Sequence, residues 1–111
     1  MSMKVAIDEI EAVAASYGPA AYVLVSSADG PPRVTHVTVG FDGTTIVVSL
    51  GRSAAGAIAD NPRVCVLWSA TDQEPMSLIV DGTVVSDVDV DEGGEVRIEP
   101  TGAVRHRPAP V

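Results

Sequence analysis

The chain has 111 residues, which suits one domain spanning residues 1–111, and 46% of them are hydrophobic, enough to form an apolar core. Its formal net charge of −8 argues against a nucleic-acid-binding protein, because such a protein needs clustered Lys and Arg to neutralise phosphates. No apolar run approaches the ~20 residues of a membrane-spanning helix, and no signal pattern opens the chain, so the sequence predicts a soluble cytoplasmic protein.

The first predicted element is a helix, Ala6–Tyr17, in which apolar residues recur at helical spacing and which Gly18-Pro19 ends. Short Val-rich runs predict six strands: Ala21–Ser27, Arg33–Val39, Thr44–Leu50, Arg63–Ser69, Met76–Ser86 and Glu95–Glu99. The tail, Pro100–Val111, should be extended, and the acidic run Asp87–Glu95 should form a solvated loop. One helix before the strands and one between them predict a mainly β protein, a small antiparallel barrel.

Two Asp-Gly dipeptides indicate where the chain turns or a strand is interrupted. Asp42-Gly43 is a hairpin signal that would join Arg33–Val39 to Thr44–Leu50. Asp81-Gly82, inside a long predicted strand, indicates a bulge or bend.

The helix between the strands lies in the stretch SLGRSAAGAIADNPRVCVLW, from Ser49 to Trp68. Ser53 is the expected N-cap, Ile58 should face the core, and Asn61-Pro62 should end the helix. Free N–H groups at the helix start, with Arg52 beside them, would suit a bound anion. A helix that only connects two strands, with a capped start and a surface arginine, explains the same residues. The anion site and the structural connection both stay open.

Arg33 opens a strand that we expect to run beside Thr44–Leu50, which would place its side chain on the same face as the Ser49–Ser53 turn. A solvated charge at the strand edge is the alternative. His36, in the same strand, is more typical of a structural or interface residue than of a catalyst.

Cys65 is the only cysteine, so an intramolecular disulfide is excluded. It lies in the apolar run Val64–Trp68, where we expect a small buried hydrophobe rather than a reactive thiol. No His, Cys, Asp or Glu group has the spacing of a metal site, and we predict no metal.

The segment DGPPRVTHVTVGFDGTTIVVSLGRSAAGAIADNPRVCVLW resembles the pyridoxamine 5′-phosphate oxidase-like family of flavin-binding split barrels. The later VRIEPTGAVRHRPAP resembles the closing strand and tail of its short actinobacterial-type members. The resemblance rests on the strand opening with Pro-Arg-Val, the Gly-led turn before the helix, and Asn-Pro-Arg-Val before an apolar strand. It implies a split barrel that forms homodimers, with FMN or a deazaflavin coenzyme in grooves at the dimer interface.

The resemblance also implies roles for five residues. Arg33 would approach the flavin phosphate, and Ser49, Arg52 and Ser53 would line the phosphate end. Ser77 matches a position that often provides a polar contact from the partner subunit.

This sequence departs from the family pattern in three places. The oxidases carry Ser-Arg-Lys after the turn glycine, whereas here Gly51 is followed by Arg52, Ser53 and Ala54. A second basic position of the family is Thr38, and the C-terminal substrate-binding region of the oxidases is absent. We therefore do not predict pyridoxamine phosphate oxidation.

Three functions are compatible with these observations. The first is a flavin- or deazaflavin-dependent oxidoreductase of unknown substrate, in which the coenzyme carries the chemistry and no catalytic residue is assigned. The second is a dimeric module with no cofactor or with another ligand. The third is a haem-binding protein with His36 as the iron ligand.

Overall fold

Valine-rich strands build an antiparallel sheet whose side chains alternate between a buried and an exposed face. The computed structural model describes residues 2–109, in which eight strands are present. Their bounds are β1 Ser2–Lys4, β2 Ala20–Val25, β3 Arg33–Thr38, β4 Gly40–Asp42, β5 Thr45–Leu50, β6 Arg63–Trp68, β7 Ser77–Val84 and β8 Gly94–His106. The helices are α1 Ile10–Ala14, which follows a 3₁₀ turn at Ile7–Glu9, and α2 Arg52–Asp60.

The strands are hydrogen-bonded in the order β3-β2-β6-β7-β8-β5-β4, and β1 pairs with the C-terminal part of β8. The two ends of this order, β3 and β4, are consecutive in the chain, with only Val39 between them. The chain thus leaves one end of the sheet and enters the other, which curls the sheet into a split barrel. The predicted mainly β split barrel with two short helices is confirmed.

The core fills the concave face of the sheet, because alternate residues of each strand point inward. Val23, Val66 and Val80 are fully buried there, and α1 covers the core with Ile10 and Ala14. Helix α2 buries one side of its surface, including the predicted core residue Ile58. The opposite, convex side of β3, β2, β6 and β7 carries Tyr22, Leu24, Val34, His36, Leu67 and Ile79, and we call it the outer face.

The predicted pairing of Arg33–Val39 with Thr44–Leu50 is wrong. β3 pairs with β2, Arg33 standing opposite Val25, and the hairpin at Asp42-Gly43 joins β5 to the short strand β4 instead. The predicted strand continues past its expected end and bends, so that its two halves pair with different neighbours.

Three further differences concern the ends of elements. The N-terminal helix is shorter than predicted, because the chain tightens into turns after Ala14 before Gly18 ends it with a φ of +89°. Strand β8 continues through Pro100 to His106, because the register shift opposite Asp81 and Gly82 leaves Thr101 unpaired. The predicted bulge at Asp81-Gly82 is thereby confirmed, while the predicted tail residues Pro110 and Val111 lie outside the described residues.

Within residues 2–109, no helix combines the length and apolar character that crossing a membrane requires.

Candidate anion-binding site

Helix α2 begins with backbone donors that no side chain caps. Its N-cap is Gly51, in an extended conformation, and the Gly51 carbonyl accepts a hydrogen bond from the Ala55 N–H at 2.9 Å. The prediction of Ser53 as N-cap is therefore wrong, since Ser53 is already the second residue of the helix. The N–H groups of Arg52, Ser53 and Ala54 have no intrahelical acceptor and form the positive end of the helix dipole.

Arg33 lies near this helix start because β3 pairs with β2, and not with β5 as predicted. It is the first residue of β3 and faces the same side of the sheet as Thr35 and Val37, the side that α2 covers. A cavity of about 450 Å³ separates the end of the β2–β3 hairpin from the start of α2. It is lined by Val25, Arg33, Val34, Thr35, Gly51, Arg52, Ser53 and Ala54, and we call it the anion pocket.

The lining of the anion pocket carries two positive charges although the whole chain is acidic. None of its lining residues is a carboxylate. Among the described residues, Arg97 pairs with Asp42 and Arg105 with Glu74, the latter at 2.6 Å, whereas Arg33 and Arg52 lie beyond ion-pair distance of any carboxylate. Two unpaired guanidinium groups and a helix N-terminus at one cavity are suited to a phosphate.

The structure therefore brings three of the five predicted residues together. Ser49 lies outside the pocket lining, on the exposed side of β5 opposite Glu95. Ser77 begins β7, where it stands opposite His106, and its predicted contact across a subunit interface stays a prediction.

Sequence reasoning missed Val25 and Thr35 as pocket residues. The signal was present in the alternation of β3, which puts Thr35 on the same side as Arg33. Only the observed register of β2 against β3, however, shows that Val25 faces Arg33.

The two family positions that lost their basic residue lie in different places. Ala54 lines the pocket with its methyl group and is 7% exposed, so this position contributes no charge. Thr38 ends β3 on the outer face, away from the anion pocket.

The outer face carries aromatic and aliphatic side chains in contact with solvent. The rings of Tyr22 and His36 stack at a centroid distance of 4.7 Å, and Leu67 and Ile79 continue this row across β6 and β7. Val34, in the next row, is 62% exposed. The hollow beside His36 has a volume of about 130 Å³, which is well below the ~300 Å³ at which ligand pockets begin.

Cys65 also lies on the outer face, between Leu24 and Asp81. It is partly exposed, so the predicted buried position is wrong: the strand places Val64 and Val66 inward and Cys65 outward. Burial, followed by the negative charge of Asp81, raises the pKa of its thiol to about 11.

Solved structures share this arrangement of strands and helices. An FMN-binding protein from Syntrophomonas wolfei superposes with a TM-score of 0.73 at 6% identity, covering 94% of this chain and 88% of that chain. A protein of the pyridoxinephosphate oxidase family from Clostridium acetobutylicum superposes with a TM-score of 0.67 at 14% identity, covering 93% of this chain and 91% of that one. The chain has the split-barrel fold of the pyridoxamine 5′-phosphate oxidase-like proteins.

The same split barrel occurs in an F420 reductase, with a TM-score of 0.64 at 17% identity over 78% of this chain and 90% of that chain. No family model and no curated protein matches the sequence. The resemblance found in the sequence is confirmed at the level of the fold.

Proposed function

We propose that this split barrel binds a flavin-type coenzyme, FMN or a deazaflavin, through its phosphate group in the anion pocket. The observation that carries the proposal is the meeting of Arg33 and Arg52 at the uncapped start of α2, in one cavity without a carboxylate. Proteins of this fold that are named for FMN or F420 support the same class of ligand.

The residues of the anion pocket fit a phosphate. The N–H groups at the start of α2 and the Ser53 hydroxyl donate hydrogen bonds, while the guanidinium groups add charge and paired donors. Arg52 takes over the basic role that a lysine holds in the oxidases. Each arginine contributes on the order of 1–4 kcal/mol of Coulomb attraction to a phosphate, depending on how much water remains between them.

A bound flavin would supply hydride transfer to or from a small substrate, and the chain would bind and orient it. We therefore propose an oxidoreductase role for the protein. Val25 and Val34 give the pocket an apolar wall that limits water around the phosphate.

We also propose that the chain forms a homodimer through the outer face. Val34 belongs both to that face and to the lining of the anion pocket, so a second copy packed there would border the pocket. The row of Tyr22, Leu67 and Ile79, of which Tyr22 is exposed and the other two are half-buried, is the kind of contiguous apolar surface that a partner covers. Ser77 then becomes available to the coenzyme of the opposite subunit.

The test compares FMN with riboflavin, which lacks the phosphate, by fluorescence titration of the wild type and two variants. Arg33→Ala and Arg52→Ala should each weaken FMN roughly tenfold, equivalent to about 1.4 kcal/mol, and leave riboflavin nearly unchanged. Arg107→Ala is the control, because Arg107 is exposed, forms no ion pair among the described residues and lies outside the anion pocket.

Equal weakening of FMN and riboflavin by both variants would show that these arginines do not contact the phosphate. If neither FMN nor the deazaflavin coenzyme binds at high micromolar concentration, the coenzyme proposal fails. Inorganic pyrophosphate is then titrated, since binding that depends on Arg33 and Arg52 would assign the pocket to another phosphorylated ligand.

A further inference from the structure

The acidic loop between β7 and β8 ends against the backbone turn that opens α2. Within the loop, the Asp89 carboxylate accepts hydrogen bonds from the N–H groups of Asp91 and Glu92, both at 3.0 Å. The Gly93 N–H donates to the Asp89 carbonyl at 2.8 Å. The loop is thus folded on itself before the chain enters β8.

Gly93 touches the turn so closely that no side chain fits. A Cβ atom there would lie 2.3 Å from the Leu50 carbonyl oxygen and 2.9 Å from the Gly51 carbonyl carbon, well below van der Waals contact. Both obstacles are backbone, so they yield only if the turn itself moves. Gly51 is the N-cap of α2, and Leu50 forms the last β5–β8 pair with Gly94.

We propose that Gly93 is a positioning residue for the anion pocket. Its contact holds the Leu50–Gly51 backbone in the place from which the free N–H groups of α2 and Arg52 face Arg33. The proposal rests on the proposed function only for the identity of the ligand, since the contact itself exists without one.

Backbone strain and lack of space both make alanine unfavourable at position 93. Other glycines of the chain share the strain but not the lack of space. Gly93 has a φ of +73°, which strains any L residue, and it also lacks space. Gly43, in the β4–β5 hairpin, has a φ of +62°, and Gly94 has a φ of +136°, but a Cβ at either would meet nothing within 4 Å. Gly43→Ala and Gly94→Ala therefore impose strain without displacing the turn.

The first readout needs no ligand. In ¹⁵N-labelled protein, Gly93→Ala should shift the amide resonances of Arg52, Ser53 and Ala54, whereas Gly43→Ala should leave them in place. Gly94→Ala, next to the contact, should have a smaller effect than Gly93→Ala. Unchanged amides in a folded Gly93→Ala protein would overturn the proposal, whether or not the wild type binds a flavin.

The second readout applies to the ligand. Gly93→Ala should weaken FMN roughly tenfold relative to riboflavin, because only the phosphate contacts the displaced donors. If the wild type binds no flavin, the proposed function fails, while the amide shifts still decide the role of Gly93.

A milder variant covers the case in which Gly93→Ala does not fold. Asp89→Ala removes the carboxylate that accepts the Asp91 and Glu92 N–H bonds, without adding bulk at the turn. We expect faster hydrogen exchange at the Ala55 amide, whose bond to the Gly51 carbonyl closes the first turn of α2. Asp91→Ala, with the same change in charge, is the control, and equal exchange rates in the two variants would contradict the proposal.

Discussion

Two of the six arginines of this chain are held in ion pairs, and two others line the anion pocket. Arg97 and Arg105 are tied to Asp42 and Glu74 and fasten neighbouring parts of the barrel to each other. Arg33 has no carboxylate within ion-pair distance among residues 2–109 and faces a cavity instead. In a chain with fifteen acidic residues, an arginine left without a partner is available for an anion from outside.

Cys65 shows how burial, together with one neighbouring charge, sets the reactivity of a thiol. Burial and Asp81 raise the pKa of its thiol from 9.0 to about 11. At pH 8 the thiolate is then about 100-fold scarcer than in an unperturbed thiol, and alkylation by iodoacetamide should be slow to match. The rate, followed by mass spectrometry, should continue to rise with pH beyond 9.

Asp81→Asn tests the electrostatic part of this shift. Without the carboxylate, the thiolate is less disfavoured, so the pKa falls and alkylation at pH 8 should accelerate by roughly threefold. Asp72→Asn, in the loop before β7, should have no effect. The same shift implies that stability declines between pH 9 and about 11, because the unfolded chain releases the thiol proton first.

At the scale of elements, alanine substitution of two glycines in regular structure should change the stability of the fold in opposite directions. Gly56 lies inside α2, where a Cβ atom would meet nothing within 4 Å. Gly56→Ala should raise the free energy of unfolding by about 0.5–1 kcal/mol, because alanine loses less backbone entropy in a helix. Urea unfolding followed by circular dichroism measures the change.

Gly82 provides the contrast at the β7–β8 bulge. A Cβ there would lie 2.6 Å from the Ile98 Cγ2 atom and 2.9 Å from the Glu99 carbonyl oxygen. Gly82→Ala should therefore lower the free energy of unfolding by about 1–3 kcal/mol, as overpacking of a core does. A loss of stability in Gly56→Ala, or none in Gly82→Ala, would show that these local contacts do not decide the outcome.

Local pattern predicted most of these elements, because period-two alternation of valines and the Asn61-Pro62 stop are short-range signals. The partners of the strands were less predictable. The sequence places a hairpin at Asp42-Gly43 but does not show that the preceding strand bends after Thr38 and changes neighbour. Pro100 is likewise a reason to end a strand, and only the bulge opposite Asp81-Gly82 allows β8 to continue.

For the candidate site too, the residues were predictable from the sequence and their spatial arrangement was not. Residue types identified Arg33, Arg52 and Ser53, but the route that brings them together differs from the predicted one. Arg33 reaches α2 through its pairing with β2, not through a ladder with β5. The contact of Gly93 with the turn has no sequence signal beyond a Gly-Gly pair, because it joins residues more than forty positions apart.

At the scale of the molecule, charge and apolar surface are separated. The acidic loop after β7, residues 87–93, ends beside the turn that opens α2, while the outer face has few charges and exposes Tyr22 and Val34. A net charge of −8 opposes association in general, so a dimer requires a face where carboxylates are sparse. The outer face satisfies that requirement.

Val34→Asp tests the dimer at that face. The substitution would bury an unpaired carboxylate in the interface, which typically costs 2–5 kcal/mol or roughly 30- to 5,000-fold in the dissociation constant. Val85→Asp is the matched control, because Val85 is 57% exposed against 62% for Val34 and lies just after β7, away from the outer-face row. Sedimentation velocity over a range of concentrations should show a dimeric wild type and Val85→Asp protein but a monomeric Val34→Asp protein. A monomeric wild type would leave the outer face without the role proposed for it.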